Sequence, residues 1–413
     1  MDKEKTLKGN CLIGQSGGPT SVINASLYGI IKAAKESGVI SRIYGACHGT
    51  QGILAGNIID LTDEPDENID LLPVTPSAAL GSSRVKLKDF TEDDTQYRTI
   101  LELFRKYDIR YFFFIGGNDS MDTCDKISRY FETVDFECRI FDVPKTIDND
   151  LWGTDHCPGY GSAAKYVATT MLELYEDARV YGTPQVIIVE IMGRNAGWLT
   201  ASAALARTVG HGPDLIYLPE VPFSVGDFLN RVGEHLAKNE SVLIAVSEGV
   251  MDEDGVYITD YSAETKYTDT FGHIQMGGLG AMLKSMVINR FKAKTRSIEL
   301  SLLQRCAAHI ASKTDVDEAI TVGRDAVRYA LGGKSGFMVG IRRVSNDPYV
   351  SETQLLPLDQ CANYEKKVPS EWILPGGAGV TDELIRYMKP LIQGEVTTPK
   401  KDSLPVFTHF ELS

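Results

Sequence analysis

Residues 144–150 read PKTIDND and directly follow the apolar run 139–143, which is typical of the end of a buried strand. The heptad combines a lysine, a hydroxyl group, acids and an amide, at a position where loops commonly carry function. In an extended loop, the side chains of Asp148 and Asp150 would point to the same side. One acid could then accept a proton from an alcohol while the other holds a metal or orients the first. The alternative interpretation is a helix N-cap in a solvated turn.

The composition is that of an acidic globular protein. Its 413 residues allow two packed domains, and a hydrophobic content of 43% is ordinary for this class. A net charge of −14 and a pI of about 5.1 exclude a general binder of nucleic acid or of membrane surfaces, because both are anionic. An anionic substrate would therefore need a local basic pocket.

The cysteines and the N-terminal residues indicate a cellular compartment. The 7 cysteines form no CxxC pair, which argues against a zinc ribbon or a redox motif, and their loose spacing fits a reducing cytoplasm. The start, MDKEKTLKGN, lacks the apolar stretch of a signal peptide. No apolar run approaches the roughly 20 residues that span a bilayer. The sequence predicts a cytoplasmic protein without a membrane segment.

Strand–turn–helix units recur along the chain. Apolar runs typical of strands occupy residues 10–13, 111–115, 185–191, 215–218, 242–246 and 337–341. Helical patterns are expected at residues 163–180, 298–312 and 315–331. This repetition predicts an α/β protein with one or two mostly parallel, doubly wound sheets.

Several turns after these strands carry residues suited to phosphate or metal. GQSGG at residues 14–18 precedes a helix, so its backbone N–H groups could approach an anion. In GGNDS at residues 116–120, Asp119 puts a carboxylate where magnesium could bridge protein and phosphate, although Asp119 or Ser120 could simply cap the helix. Arg84 follows a turn of small residues and is either a phosphate contact or a surface charge.

Two further segments imitate nucleotide-binding motifs without completing them. GLG at residues 278–280 lacks the third glycine of a dinucleotide-binding loop. GKS at residues 333–335 lacks the first glycine of a P-loop, because Arg328 stands at that position. We therefore do not expect a dehydrogenase or a P-loop nucleotide site.

Taken together, GQSGG, Arg84, GGNDS, PKTIDND, MGR at residues 192–194 and SEG at residues 247–249 resemble the phosphofructokinase family, and more closely its pyrophosphate-dependent members. The resemblance runs from about residue 10 to about residue 312, and more loosely to Lys367. It implies two Rossmann-like three-layer lobes with mostly parallel sheets and an active site in the cleft between them. It also implies Mg²⁺ as cofactor and a homodimer or homotetramer.

The resemblance further implies that each lobe is discontinuous. Residues 1–160 with 275–325 would form the lobe that binds the phosphoryl donor. Residues 161–274 with 326–413 would form the lobe that binds fructose 6-phosphate, together with a C-terminal extension.

Residue roles follow from the same resemblance. Asp148 would take the proton from the sugar 1-hydroxyl, and the catalytic set would be Asp119, Lys145, Asp148, Asp150 and Arg194. Contacts with fructose 6-phosphate are implied for Thr146, Ile147, Asp148, Met192, Gly193, Arg194, Glu248, His273, Tyr364 and Lys367. Contacts with pyrophosphate are implied for Gly14, Gly17, Gly18, Arg84, Gly117, Ser120 and Lys145. Asn118 and Asp119 would face the metal.

The pattern departs from simpler ATP-using relatives in the sugar-phosphate pocket. In GHIQMGG, which contains His273, Met276 stands where those relatives have an arginine, and Gln185 replaces another. The remaining candidate cations for the 6-phosphate are Lys367 with Tyr364, Arg290, Arg296 and Arg305.

The choice of phosphoryl donor depends on two positions. ATP-using members typically carry glycine where this chain has Asp119 and Lys145, and glycine leaves room for the nucleotide. A carboxylate there would fill that room and repel an α-phosphate, while the lysine would neutralise pyrophosphate. We therefore expect reversible phosphoryl transfer from pyrophosphate to fructose 6-phosphate, a reaction of glycolysis and gluconeogenesis. An ATP-dependent phosphofructokinase is the first alternative and a catalytically silent relative the second.

Overall fold

Two β-sheets form the framework of the chain in the computed structural model, which describes residues 7–261 and 278–412. The strands are β1 (Gly9–Gln15), β2 (Ile40–Ala46), β3 (Ile58–Asp60), β4 (Ile109–Gly116), β5 (Arg139–Pro144), β6 (Gln185–Ile191), β7 (Leu215–Tyr217), β8 (Val242–Ser247), β9 (Lys294–Glu299), β10 (Phe337–Asn346), β11 (Tyr349–Pro357), β12 (Lys400–Lys401) and β13 (Leu404–Pro405). The α-helices are α1 (Ile23–Glu36), α2 (Gly49–Ala55), α3 (Asp66–Asp70), α4 (Thr95–Lys106), α5 (Asn118–Thr133), α6 (Tyr160–Ala178), α7 (Trp198–Ala201), α8 (Val225–Ala237), α9 (Leu279–Phe291), α10 (Leu303–Cys306), α11 (Lys313–Leu331), α12 (Leu358–Cys361) and α13 (Asp382–Met388). Short 3-10 helices occupy Leu72–Val74, Ser202–Val209, Ile258–Tyr261, Ala308–Ile310, Ser370–Trp372 and Lys389–Ile392.

The first sheet has seven strands in the order β11-β10-β5-β4-β1-β2-β3. The five inner strands run parallel, and β3 and β11 pair antiparallel at the edges. Strand β4 (IRYFFFIG) lies at the centre, where Phe112 and Phe114 pack towards α4 and α5 while Phe113 packs towards α1 and α11. Each buried phenylalanine contributes about 1.5–3 kcal/mol of hydrophobic stabilisation, so a strand apolar on both faces requires a layer of helices on each side.

The second sheet has four parallel strands in the order β7-β8-β6-β9. Alternate residues of β6 again face opposite layers: Ile187 and Val189 pack with α6, whereas Val186 and Ile188 pack with α8 and α9. Helix α13 joins the layer of α6. The predicted α/β class and the two three-layer lobes with mostly parallel sheets are therefore confirmed.

The pairing of two strands differs from the predicted division into lobes. Strand β9 pairs with β6 in the second sheet, although residues 275–325 were assigned to the donor-binding lobe. Strands β10 and β11 extend the first sheet beside β5, although residues 326–413 were assigned to the sugar-binding lobe. The paired strands lie far apart in the sequence, and local hydrophobic patterns do not specify which of them meet.

The helix expected over residues 298–312 is also wrong. Strand β9 extends to Glu299, and only Leu303–Cys306 (α10) and Ala308–Ile310 in a 3-10 helix are helical before Ser312. Ser301 adopts a left-handed φ of 44°, which no helix of L-residues can include, so the chain turns sharply between β9 and α10.

No helix within the two described segments of the chain combines the length and the apolar character that a bilayer span requires.

Candidate active site

A cavity of about 620 Å³ lies between the two sheets, at the carboxyl ends of their parallel strands. The turns that follow β1, β4, β5, β6 and β8 all reach it, and α10 and residues 363–365 complete its wall. Open α/β sheets bind ligands at this end, because loops there can present polar groups without disturbing the packed layers.

Most of the predicted site residues meet in this cavity. On the predicted donor and metal side these are Gly17, Gly18, Arg84, Gly117, Asn118, Asp119, Ser120 and Lys145. On the predicted sugar side they are Thr146, Ile147, Asp148, Asp150, Met192, Arg194, Glu248 and Tyr364. Residues from distant parts of the sequence thus form one continuous surface.

Three predicted residues lie outside the cavity wall. Gly14 is inside β1, where a Cβ would lie 2.7 Å from the ring of Phe114, so its lack of a side chain serves packing. Gly193 has a φ of 135°, and its N–H donates to Oε1 of Glu248 over 3.5 Å. It therefore shapes the turn after β6 and supports Glu248. Lys367 is exposed to solvent away from the cavity. His273 and Met276 fall outside the described residues.

Lys145 joins three of the strand ends. Its backbone N–H donates to the carbonyl of Gly116 over 2.8 Å, and its Nζ donates to the carbonyl of Gly18 over 2.7 Å. The side chain is only 3% exposed. Burial lowers the pKa of Lys145 to about 8, against the opposing attraction of Asp148 and Asp142. The ammonium group can therefore serve an anion in the cavity, but it loses its proton in mildly alkaline solution.

Arg305 lies in the cavity wall, although the sequence indicates it only as one of several candidate cations for the 6-phosphate. The turn after β9 directs it back to the glycine turn, where its Nη1 lies 3.0 Å from the position of a Cβ on Gly18. The preceding Gln304 is buried and its Oε1 accepts from the N–H of Met192 over 3.2 Å, which ties α10 to the cavity. Burial lowers the pKa of Arg305, and the nearby charge of Arg84 lowers it further. Arg84 and Arg305 thus concentrate positive charge beside the glycine turn.

Three carboxyl groups face the cavity with raised pKa values. Burial raises the pKa of Asp148, against the attraction of Lys145 and Arg194. Burial, reinforced by the charge of Asp148, raises the pKa of Asp150 to about 7 and that of Glu248 to about 7. Asp150 and Glu248 therefore exchange protons near neutral pH, and the raised pKa makes Asp148 a stronger base than an exposed aspartate, which suits a general base for an alcohol.

Asn149 holds the loop that carries these acids. It adopts a left-handed φ of 55° between Asp148 and Asp150. Its Oδ1 accepts from the N–H of Cys157 over 3.0 Å, and its Nδ2 donates to the hydroxyl of Tyr387 over 3.0 Å. Asparagine tolerates this conformation better than most residues, so the bend between the two acids has a local cause in the sequence.

The oxygen atoms beside Asp119 suit a hard cation. Asn118 and Asp119 begin α5, and Oδ1 of Asn118 is buried without a hydrogen-bond partner. A Cβ on Gly116 would lie 1.8 Å from Oγ of Ser120, so glycine is needed for this close turn. Within residues 7–261 and 278–412, no group of three or more His, Cys, Asp or Glu side chains could hold a metal by itself. A cation here would depend on phosphate oxygens and water for its other ligands, as Mg²⁺ commonly does.

Residues 363–366 lie at the cavity, although among them only Tyr364 is predicted as a site residue from the sequence. The backbone N–H of Lys366 donates to the carbonyl of Asp150 over 2.7 Å, and Glu365 forms an antiparallel bridge with Leu151. Asn363 and Glu365 thereby enter the cavity wall beside Tyr364. Polar residues in an irregular segment resemble any solvated surface, so no local signal indicated this placement.

Known proteins share the sequence pattern and the fold of this chain. A family model described as phosphofructokinase matches residues 10–299. The pyrophosphate–fructose 6-phosphate 1-phosphotransferase of Halomonas elongata is 43% identical over 400 residues, covering 96% of this chain and 94% of that protein. The enzyme of the same name from Methylococcus capsulatus is 40% identical, with coverage of 96% and 94%. The crystal structure of a pyrophosphate-dependent phosphofructokinase from Nitrosospira multiformis superposes with a TM-score of 0.88 at 38% identity, covering 98% of each chain. The chain therefore belongs to the phosphofructokinase family.

Proposed function

We propose that the protein transfers a phosphoryl group reversibly from pyrophosphate to the 1-hydroxyl of fructose 6-phosphate, with Mg²⁺ as cofactor. The products are fructose 1,6-bisphosphate and orthophosphate. The observation that carries the proposal is the donor side of the cavity, where Lys145 and Asp119 line the space beside the glycine turn. The names of the relatives at 40–43% identity support the same reaction.

Charge explains how an acidic protein can bind two anionic substrates. Among the described residues that line the cavity, four are cations, namely Arg84, Lys145, Arg194 and Arg305. The same wall carries five carboxyl groups, but on its donor side Arg84, Lys145 and Arg305 outnumber the single carboxylate of Asp119. This side supplies the local positive charge that a chain of net charge −14 needs. Positive groups that are already in place stabilise the charge of a transferring phosphoryl group without reorganisation in the reaction step.

Asp148 is the base in this proposal. It lies in the cavity with Arg194 and Glu248, which we assign to the sugar together with Thr146 and Met192. Asp148 would accept the proton of the 1-hydroxyl as that oxygen attacks phosphorus and orthophosphate leaves. Because its pKa is raised, the carboxylate is a stronger base than an exposed aspartate.

Magnesium would be held by the carboxylate of Asp119 and the unpartnered oxygen of Asn118, with pyrophosphate supplying further oxygens. When bound, it would neutralise phosphate charge at the donor. Asp119 and Lys145 both line the cavity, and their side chains would take up space that a nucleotide needs, so we assign pyrophosphate rather than ATP as donor.

We also propose a cytoplasmic homodimer or homotetramer. All cysteines of the chain are free thiols in the structure, which supports a reducing compartment. Light scattering on the purified protein would measure the oligomeric state.

A donor panel tests the proposed function. Purified protein is assayed for fructose 1,6-bisphosphate with pyrophosphate and with ATP, each with and without Mg²⁺. We expect turnover with pyrophosphate and Mg²⁺, and orthophosphate-dependent reversal of the reaction. Strong activity with ATP and none with pyrophosphate would overturn the assignment of the donor.

A further inference from the structure

Residues 363–366 connect the two sides of the cleft. On one side they pair with residues 150–151, which follow Asp148, through the bridge between Leu151 and Glu365 and the hydrogen bond from the N–H of Lys366 to the carbonyl of Asp150. On the other side, Nε1 of Trp198 at the start of α7 donates to the carbonyl of Lys366 over 2.8 Å. The segment therefore lies between the first and the second sheet and contacts the loops of both.

The side chain of Glu365 makes a hydrogen bond across this cleft. Its Oε1 accepts a hydrogen bond of 2.7 Å from Nδ2 of Asn195, which follows Arg194 in the turn after β6. Glu365 and Asn195 both line the cavity and both are exposed to it. The carboxylate of Glu365 thus faces the space that we assign to the sugar.

We propose that Glu365 is a positioning residue of the reaction, which holds the Arg194 turn against the Asp148 loop and so governs the binding of the sugar phosphate. The inference rests on the proposed function and extends it to a residue outside the motifs by which the family was identified. Asn195 is the partner through which Glu365 acts. Because Arg194 precedes Asn195 directly, a loose Asn195 would leave the Arg194 guanidinium less well placed for its ligand.

The charge of Glu365 gives the same residue a second effect. It raises the pKa of Asp148 and of Asp150, in each case adding to the larger effect of burial. Among the described residues, the other charged or titratable groups that influence these two carboxyls are Lys145, Arg194, Glu248, Arg305, Lys366 and Cys157. Replacing Glu365 by glutamine would leave an acceptor for Asn195 but remove the charge, so the two effects can be separated.

Steady-state kinetics with pyrophosphate and fructose 6-phosphate test the positioning role. We expect Glu365→Ala and Asn195→Ala each to raise the KM for fructose 6-phosphate by about tenfold, as expected for loss of a charge-assisted hydrogen bond, with a much smaller change in kcat. Glu365→Gln should restore the KM. The double alanine variant should resemble the single variants, because both remove the same bond.

The pH profile tests the charge effect. In Glu365→Gln, the acid limb of kcat/KM should move to lower pH, since the pKa of the base falls when a neighbouring negative charge is removed. Glu371→Ala is the matched control, because Glu371 is an exposed acid of the same C-terminal region that lies outside the cavity.

Separate outcomes contradict the two claims. A wild-type protein without turnover from pyrophosphate contradicts the proposed function. A wild-type protein with normal turnover, whose alanine variants at Glu365 and Asn195 both keep the wild-type KM, contradicts the positioning role alone. An acid limb that does not move in Glu365→Gln contradicts the charge effect.

Discussion

Two clusters of buried charge lie close together in the sequence, one around Asp148 and one around His156. In the first cluster the pKa of the acid is raised and that of the base is lowered, whereas in the second cluster the base has the raised pKa and the acid Glu318 the lowered one. In the cavity, burial raises the pKa of Asp148 and lowers that of Lys145 to about 8. A few residues further along, His156 lies between Asp155 and Glu318. There, burial alone would lower the pKa of His156, but Glu318 and Asp155 raise it to about 9.

The difference follows from the hydrogen-bond partners. Nδ1 of His156 lies 2.8 Å from Asp155 and its Nε2 lies 2.6 Å from Glu318. Glu318 also accepts hydrogen bonds of 2.6 Å from the hydroxyls of Tyr349 and Ser351. Burial alone would raise the pKa of Glu318, but the contacts with His156, Ser351 and Tyr349 lower it below its usual value. Every charge in the His156 cluster therefore has a partner within the protein.

The cavity cluster is arranged differently. Nζ of Lys145 donates to a carbonyl rather than to a carboxylate, and Asp148 is influenced by Lys145 and Arg194 through longer-range attraction. Within the described part of the chain, neither Lys145 nor Asp148 makes a direct ion pair, and such buried charges become better satisfied when a ligand of opposite charge or a proton arrives. The comparison separates a cluster whose charges are paired within the protein from the cluster that we propose to react.

The largest effect should come from removing Asp148, the proposed base in the cavity. Asp148→Asn should lower kcat by about 10²- to 10⁴-fold, because the amide cannot take the proton of the alcohol. The folded state should be no less stable, since a buried carboxyl is replaced by a neutral group of similar shape. Coupled assays and thermal denaturation measure the two properties, and a retained kcat would remove Asp148 as the base.

The converse change in the His156 cluster should affect stability. Glu318→Gln should destabilise the fold by about 3 kcal/mol, because one partner of a buried charged pair is lost.

Since the pKa of His156 is raised from 6.5 to about 9, its stabilising contribution is fully present below pH 6.5 and is lost as the pH rises through 9. Urea denaturation of the wild type and the variant over this range would show the dependence. An equal loss of stability after changing Asp148 would break the comparison.

The pH dependence of turnover sharpens the comparison further. The rate should fall by about tenfold per pH unit on the acid side, where the base is protonated, with Asp150 titrating at about 7.

On the alkaline side, the KM for pyrophosphate should rise above a pH of about 8, where Lys145 loses its charge because its pKa is lowered. Lys145→Arg should keep the charge and flatten the alkaline limb. An alkaline limb that is unchanged in this variant would exclude Lys145 as its cause.

The smallest effect concerns the donor. Asp119→Gly should admit ATP weakly, with a gain of at most about tenfold over the wild-type background, because Lys145 still occupies the other position. Turnover with ATP and with pyrophosphate would be measured on the same preparation. No gain in the use of ATP would contradict the steric account.

The site could be predicted from the sequence where its residues lie in short, continuous motifs. Asp119, Lys145 and Asp148 follow strands whose apolar patterns are strong, and the structure brings them together. Arg305 could not be located, because its place depends on the turn after β9 and on the pairing of β9 with β6. The donor roles assigned to the motif residues stay predictions until they are measured.

The same limit applies to Glu365 and to the His156 cluster. The neighbours of His156 come from α11, β10 and β11, and no local pattern in the sequence connects these elements. Glu365 reaches the cavity through its antiparallel bridge to Leu151. Contacts of this kind depend on the assembled tertiary structure, whereas turns and strands are specified by neighbouring residues.

The hydrogen bond from Nζ of Lys145 to the carbonyl of Gly18 bears on how a change of donor could arise in evolution or by engineering. A substitution at this position would remove an ammonium group and also release the carbonyl of Gly18, so the glycine turn would lose an anchor at the same moment. Asp119 makes no comparable link between strand ends through its side chain, to judge from the described hydrogen bonds of the chain. A stepwise path from pyrophosphate towards ATP would therefore begin at position 119, and the lysine would be replaced only after a second support for the turn had appeared.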